Sequence, residues 1–560
     1  MSRTAAVLLA LFFVACAGGS SVSTTPVPAA SAPSTRAIPG PLPPAPDVSA
    51  DTVKGEPPRN WQLLDQEQDH IAGVSSERAM KEVLAGKAPK RTVVVAVIDG
   101  GVDTAHVDLR ANLWQNPREA AQNRKDDDGN GYVDDVRGWN FIGGRDGKDV
   151  NQDSFEATRV YAGCQHRAPG GDFSVLPPGD QATCKRAAAE YEKALNDMKS
   201  ALPNIQQADR VLKAITAVLK TALHSDSVTD EGVAKLKPTS DDVSRAKTVY
   251  MQITAQGITR AEIDKSLAEV NNRLNYGLDL KFNPRTIVGD DTMNVNERGY
   301  GNSDVTGPDA SHGTHVAGII GAVRGNGIGI DGIAPAVRIM VVRAVPDGDE
   351  RDKDIANAIR YAADNGANVI NMSFGKGLSP HKDAVDAAVK YADSKGVLLV
   401  HAAGNDGADN DSTESYPNAR YIGGGRPANW IEVGATSWKG GAELPASFSN
   451  YGAAQVDLFA PGVDILSTVP GSKYERDSGT SMASPVVCGV AALVMAYYPE
   501  LTAQDVKRIL LNSAARHPAQ MVTKPGDDKG GLVPFGSLSA TGGIVNAYNA
   551  LKMAAQVVGR

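Results

Sequence analysis

Residues 477–485 read Asp-Ser-Gly-Thr-Ser-Met-Ala-Ser-Pro and run straight into an apolar stretch, Val486 to Tyr498. A glycine-containing turn opening on such a stretch predicts the start of a buried helix with Ser481 in its first turn. Unpaired backbone N–H groups and the positive end of the helix dipole gather there, and they favour negative charge that develops beside the hydroxyl. A serine alone is a weak nucleophile. A chemical role therefore requires a histidine to take its proton and a carboxylate to orient that histidine.

Both residue types stand in motifs of their own. Ser311-His312-Gly313-Thr314-His315-Val316-Ala317-Gly318 is a small-residue helix start with His312 near its head. Thr92 to Ile98 is a β-branched run of the kind a strand buried on both faces requires, and Asp99 ends it. The order Asp99, His312, Ser481, within VAVIDGGVD, HGTHVAG and GTSMASP, resembles the subtilisin-like serine proteases, or subtilases. The resemblance covers roughly residues 61–149 and 301–551. It implies that Ser481 attacks a carbonyl, His312 takes and returns the proton, and Asp99 holds the imidazole. It also implies Asn405, after Ala402-Ala403-Gly404, as the side-chain half of an oxyanion hole whose other half is the Ser481 N–H. Gly100 departs from the family, which often has Ser or Thr there.

The resemblance further implies a peptide-binding edge at Ser373-Phe374-Gly375, with Gly404 close by and Gly348-Asp349-Glu350 as the opposite edge. Acids at Asp349, Glu350 and Asp406 would favour basic substrate side chains, although surface solvation explains them equally well. His315 lies one turn after His312 and reads as a structural helix residue. No further Cys/His/Glu cluster supports zinc.

With 560 residues, 42% of them hydrophobic and 22% charged, the chain can bury one large core with additions. Its net charge of −8 comes without a Lys/Arg stripe, which excludes nucleic acid as an expected partner. Arg3 followed by the apolar Ala5 to Ala15 reads as a secretory signal over residues 1–17, too short to span a bilayer. Phe13-Val14-Ala15-Cys16 resembles a bacterial lipobox, which implies lipidation of Cys16. Ordinary cleavage near Ala17 is the competing reading. The protein is expected to be exported, as a periplasmic or cell-surface lipoprotein or in secreted form, with membrane contact only through that lipid. Residues 18–58, rich in Ser, Thr, Pro and Ala, are expected to form a tether. Residues 60–90 leave little room for a folded propeptide.

Asp126-Asp127-Asp128-Gly129-Asn130-Gly131 begins like an EF-hand loop, but Arg137 stands where the bidentate glutamate belongs. The stretch looks more like the calcium loops some subtilases carry, with Asp126, Asp128, Asn130 and Asp134 as candidate ligands; a solvated acidic turn is the alternative. Cys164 and Cys184 flank a Gly/Pro-rich loop, so a disulfide is reasonable in an exported protein, and two free thiols remain the other reading. Cys488 reads as a small core hydrophobe.

Residues 150–300 form a segment that compact family members lack. Tyr191, Leu195, Met198, Leu202 and Ile205 recur at helical spacing and continue through Leu212 and Leu219, with Pro203 marking a break or a second helix start; such stripes read as core between antiparallel helices, a coiled-coil partner site being the alternative. Thr259-Arg260-Ala261-Glu262 opens another helix, and a third is predicted over 241–254. Strands at 339–344, 369–373, 397–402 and 431–435 alternate with helices at 352–365, 380–395, 483–498 and 502–513. The predicted fold is α/β: a three-layer sandwich with a mostly parallel sheet over residues 59–149 and 301–560, plus the helical insertion. The expected activity is serine endopeptidase action on protein or peptide substrates through an acyl-enzyme, with no cofactor required for the chemistry. An exopeptidase with a blocked cleft and a peptide-binding pseudoprotease are the alternatives. The oligomeric state is not legible.

Overall fold

Val93–Asp99 (β1) reads VVVAVID, and every residue but Val94 is buried, because strands flank both its edges and helices cover both its faces. The computed structural model describes residues 36–49, 55–255, 257–527 and 529–559; Cys16 and the expected signal lie outside them. The strands that follow in the same sheet are β2 (Gly138–Asn140), β3 (Val337–Arg343), β4 (Val369–Met372), β5 (Leu398–Ala402), β6 (Trp430–Thr436), β7 (Leu458–Pro461), β8 (Ala515–Arg516) and β9 (Gly543–Ile544). Their spatial order is β8-β9-β7-β6-β5-β4-β1-β3-β2. Every pairing is parallel except that of β8 with β9.

Alternate residues of β1 serve opposite layers, as a period of two dictates. Val93, Val95 and Val97 pack with the helices that carry the histidine and serine motifs, whereas Ala96 and Ile98 pack on the other face. The sheet is thus the middle of three layers. The insertion's longer helices are α1 (Glu156–Arg167), α2 (Pro178–Leu223), α3 (Asp241–Ala255) and α4 (Arg260–Asn272), with short turns of helix at Asp230–Lys235 and Arg285–Val288. Six longer ones belong to the sandwich: α5 (Ser311–Gly321), α6 (Asp352–Asp364), α7 (Lys382–Ser394), α8 (Thr480–Tyr497), α9 (Ala503–Ser513) and α10 (Ala547–Val557).

Three expectations differ from the structure. Helix α2 runs unbroken for 46 residues through Pro203, about 70 Å at 1.5 Å per residue. Pro203 is exposed, so the carbonyl its ring leaves unpaired can turn to water. The stripe from Tyr191 to Ile205 is half-buried rather than core, and Leu212 and Leu219 are the stripe positions fully buried. Residues 36–49, within the expected tether, are docked on the body. The Leu42 N–H donates to Asn512 O and the Ala45 N–H to Arg516 O, while Gln520 reads both backbone groups of Val48. Prolines hold this strap extended while Ile38, Leu42 and Val48 face the core.

The insertion returns to its own neck. The Phe155 N–H donates to Gly277 O at 2.9 Å, and Thr158 Oγ1 donates to the same carbonyl. Cys164 and Cys184 are joined, tying α1 to α2 across 20 residues; closing a loop of that length is worth about 3 kcal/mol.

Candidate active site

Asp99 is the last residue of β1, His312 the second of α5 and Ser481 the second of α8. The carboxyl end of a central parallel strand is where such a sheet leaves a crevice. Helix α5 reaches it because Gly313 has no side chain: a Cβ there would stand 2.1 Å from Gly101 O and 3.1 Å from the Asp99 carboxylate. Helix α5 is seated from below by Ser467 Oγ donating to His315 O and Thr468 Oγ1 donating to Thr314 O. These residues belong to the hairpin Ile465–Val469/Lys473–Asp477 that leads into Ser481.

Asp99 is 2% exposed, and both its oxygens lie 2.9 Å from His312 Nδ1. Burial works against an imidazolium, but the charge and hydrogen bond of Asp99, with Asp477 and Asp309 further off, outweigh it and raise His312 to about 9. The Ser481 hydroxyl donates to Ser373 O at 3.3 Å; a turn about its Cα–Cβ bond is needed before it can donate to the ring. His315 is not a second base. Its Nε2 lies 3.1 Å from Glu475 O, and burial holds its pKa below the ordinary value.

Asn405 is locked by Thr480. Its Oδ1 accepts from the Thr480 N–H at 2.8 Å and from Thr480 Oγ1 at 3.0 Å, which turns its NH₂ outward. A Cβ placed on Gly479 would lie 3.6 Å from both Asn405 Nδ2 and the Ser481 backbone nitrogen. Both nitrogens therefore border the space beside Gly479, at the start of the helix that carries the serine. Gly404 makes room for the turn: its φ is +109°, and a Cβ would stand 2.4 Å from Asn450 Nδ2.

The family profile described as "Subtilase family" matches residues 90–536. The chain belongs to the subtilase family. Among its relatives, the thermophilic serine proteinase of Bacillus sp. (strain AK1) is 44% identical over 217 residues, 39% of this chain and 48% of that protein. Subtilisin BL of Lederbergia lenta is 44% identical over 205 residues, 36% of this chain and 70% of that protein. The match thus spans about half the length of the first relative. Among solved structures, proteases from Pseudoalteromonas arctica share 29% identity over 45% of this chain and 78% of theirs, with a TM-score of 0.36.

In this subtilase the start of α8 is fixed on the end of β4 through Asn371, which motif reading misses. Ser373 Oγ donates to Ser481 O, Asn371 Nδ2 donates to Ser373 Oγ, and Ser484 Oγ donates to Asn371 Oδ1. The Asn-Met-Ser run across the end of β4 is the one sequence signal for Asn371. Phe374 O accepts from His401 Nε2, whose Nδ1 faces Glu432, so the segment after β4 is held while the exposed Gly375 stays open to solvent. Asp406 is exposed at the far side of Asn405.

Two of the candidate acidic-loop residues stand beside a third acid from outside the motif. Carboxylate oxygens of Glu119, Asp126 and Asp128 lie within 4.8 Å of one another. Glu119 is 7% exposed, and its Oε2 is buried without a partner. That orphaned oxygen beside two other acids fits a divalent cation with oxygen ligands. Asp134 does not join them: at φ +56° its carboxylate turns back to accept from the N–H groups of Asn123 and Arg124. Asn130 Oδ1 accepts from the Tyr132 N–H and its Nδ2 donates to Asp135. Glu119, in Asn-Pro-Arg-Glu, precedes the motif and is missed because its spacing belongs to no EF-hand pattern.

Proposed function

We propose that this chain is a serine endopeptidase that acts on protein or peptide substrates through an acyl-enzyme. The observation that carries the reading is the bond of Asp99 to His312 Nδ1, together with the Asn405 and Ser481 nitrogens that border one space beside Gly479. Asp99 fixes the tautomer that leaves His312 Nε2 free to accept the serine proton, and then stabilises the imidazolium. Ser481 Oγ bonds to the scissile carbonyl, the electron pair moves to oxygen, and Asn405 Nδ2 with the Ser481 N–H receive it. Collapse expels the amine, which takes its proton from His312; water then repeats the sequence on the acyl-enzyme.

A structural calcium held by Glu119, Asp126 and Asp128 is part of this reading, with no role in bond cleavage. So are export and attachment through a lipid on Cys16. The decisive experiment is labelling with a fluorophosphonate: the parent chain reacts at Ser481 and Ser481→Ala does not. An unlabelled parent would mean a peptide-binding module. Exopeptidase action is favoured by one contact, Lys376 Nζ donating to Glu350 O. Fragment sizes from a long unstructured protein separate it from cleavage within chains.

A further inference from the structure

Strand β1 stops at Asp99, whereas the chain beyond β3 and the chain beyond β4 continue past it. The N–H groups of Ala344 and Val345 both turn to Asp99 O. Further out, residues 347–350 and 373–376 face each other across the place a strand following β1 would fill. Among the described residues, the backbone N–H and C=O of Gly348 and Gly375 bond to nothing else in the chain. Both edges therefore offer free groups to an extended peptide. Ser373 O, 3.3 Å from Ser481 Oγ, marks where the first residue on the acyl side lies.

The slot ends at Lys376. Its ammonium donates to Glu350 O and to Glu156 Oε2, each at 2.7 Å, and lies 2.8 Å from Asp352 Oδ1. One side chain thus joins both edges. Two strand spacings are about 9.6 Å, which a lysine stem and one hydrogen bond cover. Helix α1 of the insertion lies over the joint. The Glu156 N–H donates to Asp349 Oδ2 at 2.8 Å, and Arg159 donates to Asp349 O and Glu350 O at 3.1 and 3.4 Å. Lys376 and Glu350 are 6% and 2% exposed beneath it. Helix α2 braces the same wall, with Arg186 donating to Gly377 O and Glu414. A buried lysine with this many acceptors does not swing aside cheaply, because moving it leaves the buried Asp352 with only the uncharged donors Ser379 Oγ and the His381 N–H, and leaves Glu156 with Arg159 alone.

From Ser373 to Lys376 is three residues, about 10 Å of extended chain. Resting on the reading of the chain as a serine peptidase, we propose that the cleft takes three substrate residues on the acyl side and that the Lys376 bridge under α1 stops the fourth. A longer chain must turn outward after its third residue. The substrates this selects are chain ends and mobile loops rather than long extended segments.

The test uses the full chain carrying Ser481→Ala, titrated calorimetrically with N-acetylated peptides of two to six residues that share their last residue. Affinity is expected to rise about tenfold up to the third residue and to change by less than about twofold from the fourth to the sixth. A further rise of about fivefold or more at the fourth residue, or no binding at any length, overturns the proposal. In Lys376→Met, which keeps the stem and drops the ammonium, the fourth residue should add about threefold or more; the Ser481→Ala series decides alone if that variant does not fold. Fluorophosphonate labelling of the parent chain reports separately on the chemistry. A three-residue plateau without labelling sinks the peptidase reading and supports the stop, whereas labelling without a plateau sinks the stop alone.

Discussion

Both carboxylate oxygens of Asp99 stand 2.9 Å from Nδ1 of His312, so the imidazolium is stabilised before any substrate arrives. The general base must be neutral to accept a proton, and the neutral fraction grows as pH climbs through the pKa of the free enzyme. With His312 raised to about 9, the rising limb of kcat/KM is expected well above the ordinary imidazole value near 6.5. Asp477→Asn removes one of the charges that raise it and should move the limb to lower pH. A limb at or below 7 in the parent chain would show that Asp99 does not govern the titration.

Asn405→Ala is expected to lower kcat by roughly 10²–10³ with little change in KM, because its amide meets charge that exists only in the transition state. Thr480→Val removes the hydroxyl bonded to Asn405 Oδ1 but keeps the backbone bond. Its loss should be smaller, about tenfold. Steady-state kinetics on one peptide substrate checks both, and an unchanged kcat in Asn405→Ala would remove that residue from the oxyanion site.

Chelation with EGTA is expected to lower the melting temperature by a few degrees, since an ion at a hundred times its Kd contributes about 2.7 kcal/mol to the folded state. Glu119→Gln should abolish the response. Asp134→Ala should keep it, because that carboxylate caps residues 123–124 instead. Calorimetric scans with and without chelator decide between the two ligand sets.

A chain beginning at Asn60 is expected to melt lower than one beginning at Arg36 while cleaving a small peptide equally well. It lacks the strap, and full burial of Val48 alone is worth about 1.5–3 kcal/mol. Its loss would also leave the buried Gln520 amide, now bonded to both backbone groups of Val48, without those partners. Equal melting temperatures would show that the strap adds nothing.

The triad positions, the main strands and most sandwich helices are legible because each rests on local signals: a β-branched run, a 3.6-residue stripe, a small-residue turn. What the sequence withholds is settled by distant contacts. Glu119 joins the acidic loop through backbone geometry that no spacing rule encodes. Lys376 carries no local signal; its role appears only because α1 brings Glu156 to it across 220 residues. The strap is proline-rich enough to pass for a tether; only the distant surfaces around Gly441 and around Asn512 to Gln520 bury Val48 and half-bury Leu42. Pro203 costs α2 one backbone bond, and the helix continues past it because that side is exposed and the freed carbonyl has water to bond with.

The bond between the Phe155 N–H and Gly277 O also bears on the order in which the molecule can assemble. Asp99 and His312 are 213 residues apart, and Val93 waits for Val337 before β1 has a neighbour on that edge. Closing so long a span in one step makes for a high contact order and slow folding. Once the insertion has closed at its neck, only about 90 residues of chain outside it separate the aspartate from the histidine. The insertion thus lengthens the polypeptide far more than it lengthens the search, and the neck is where an early folding event would shorten the route to the central strand.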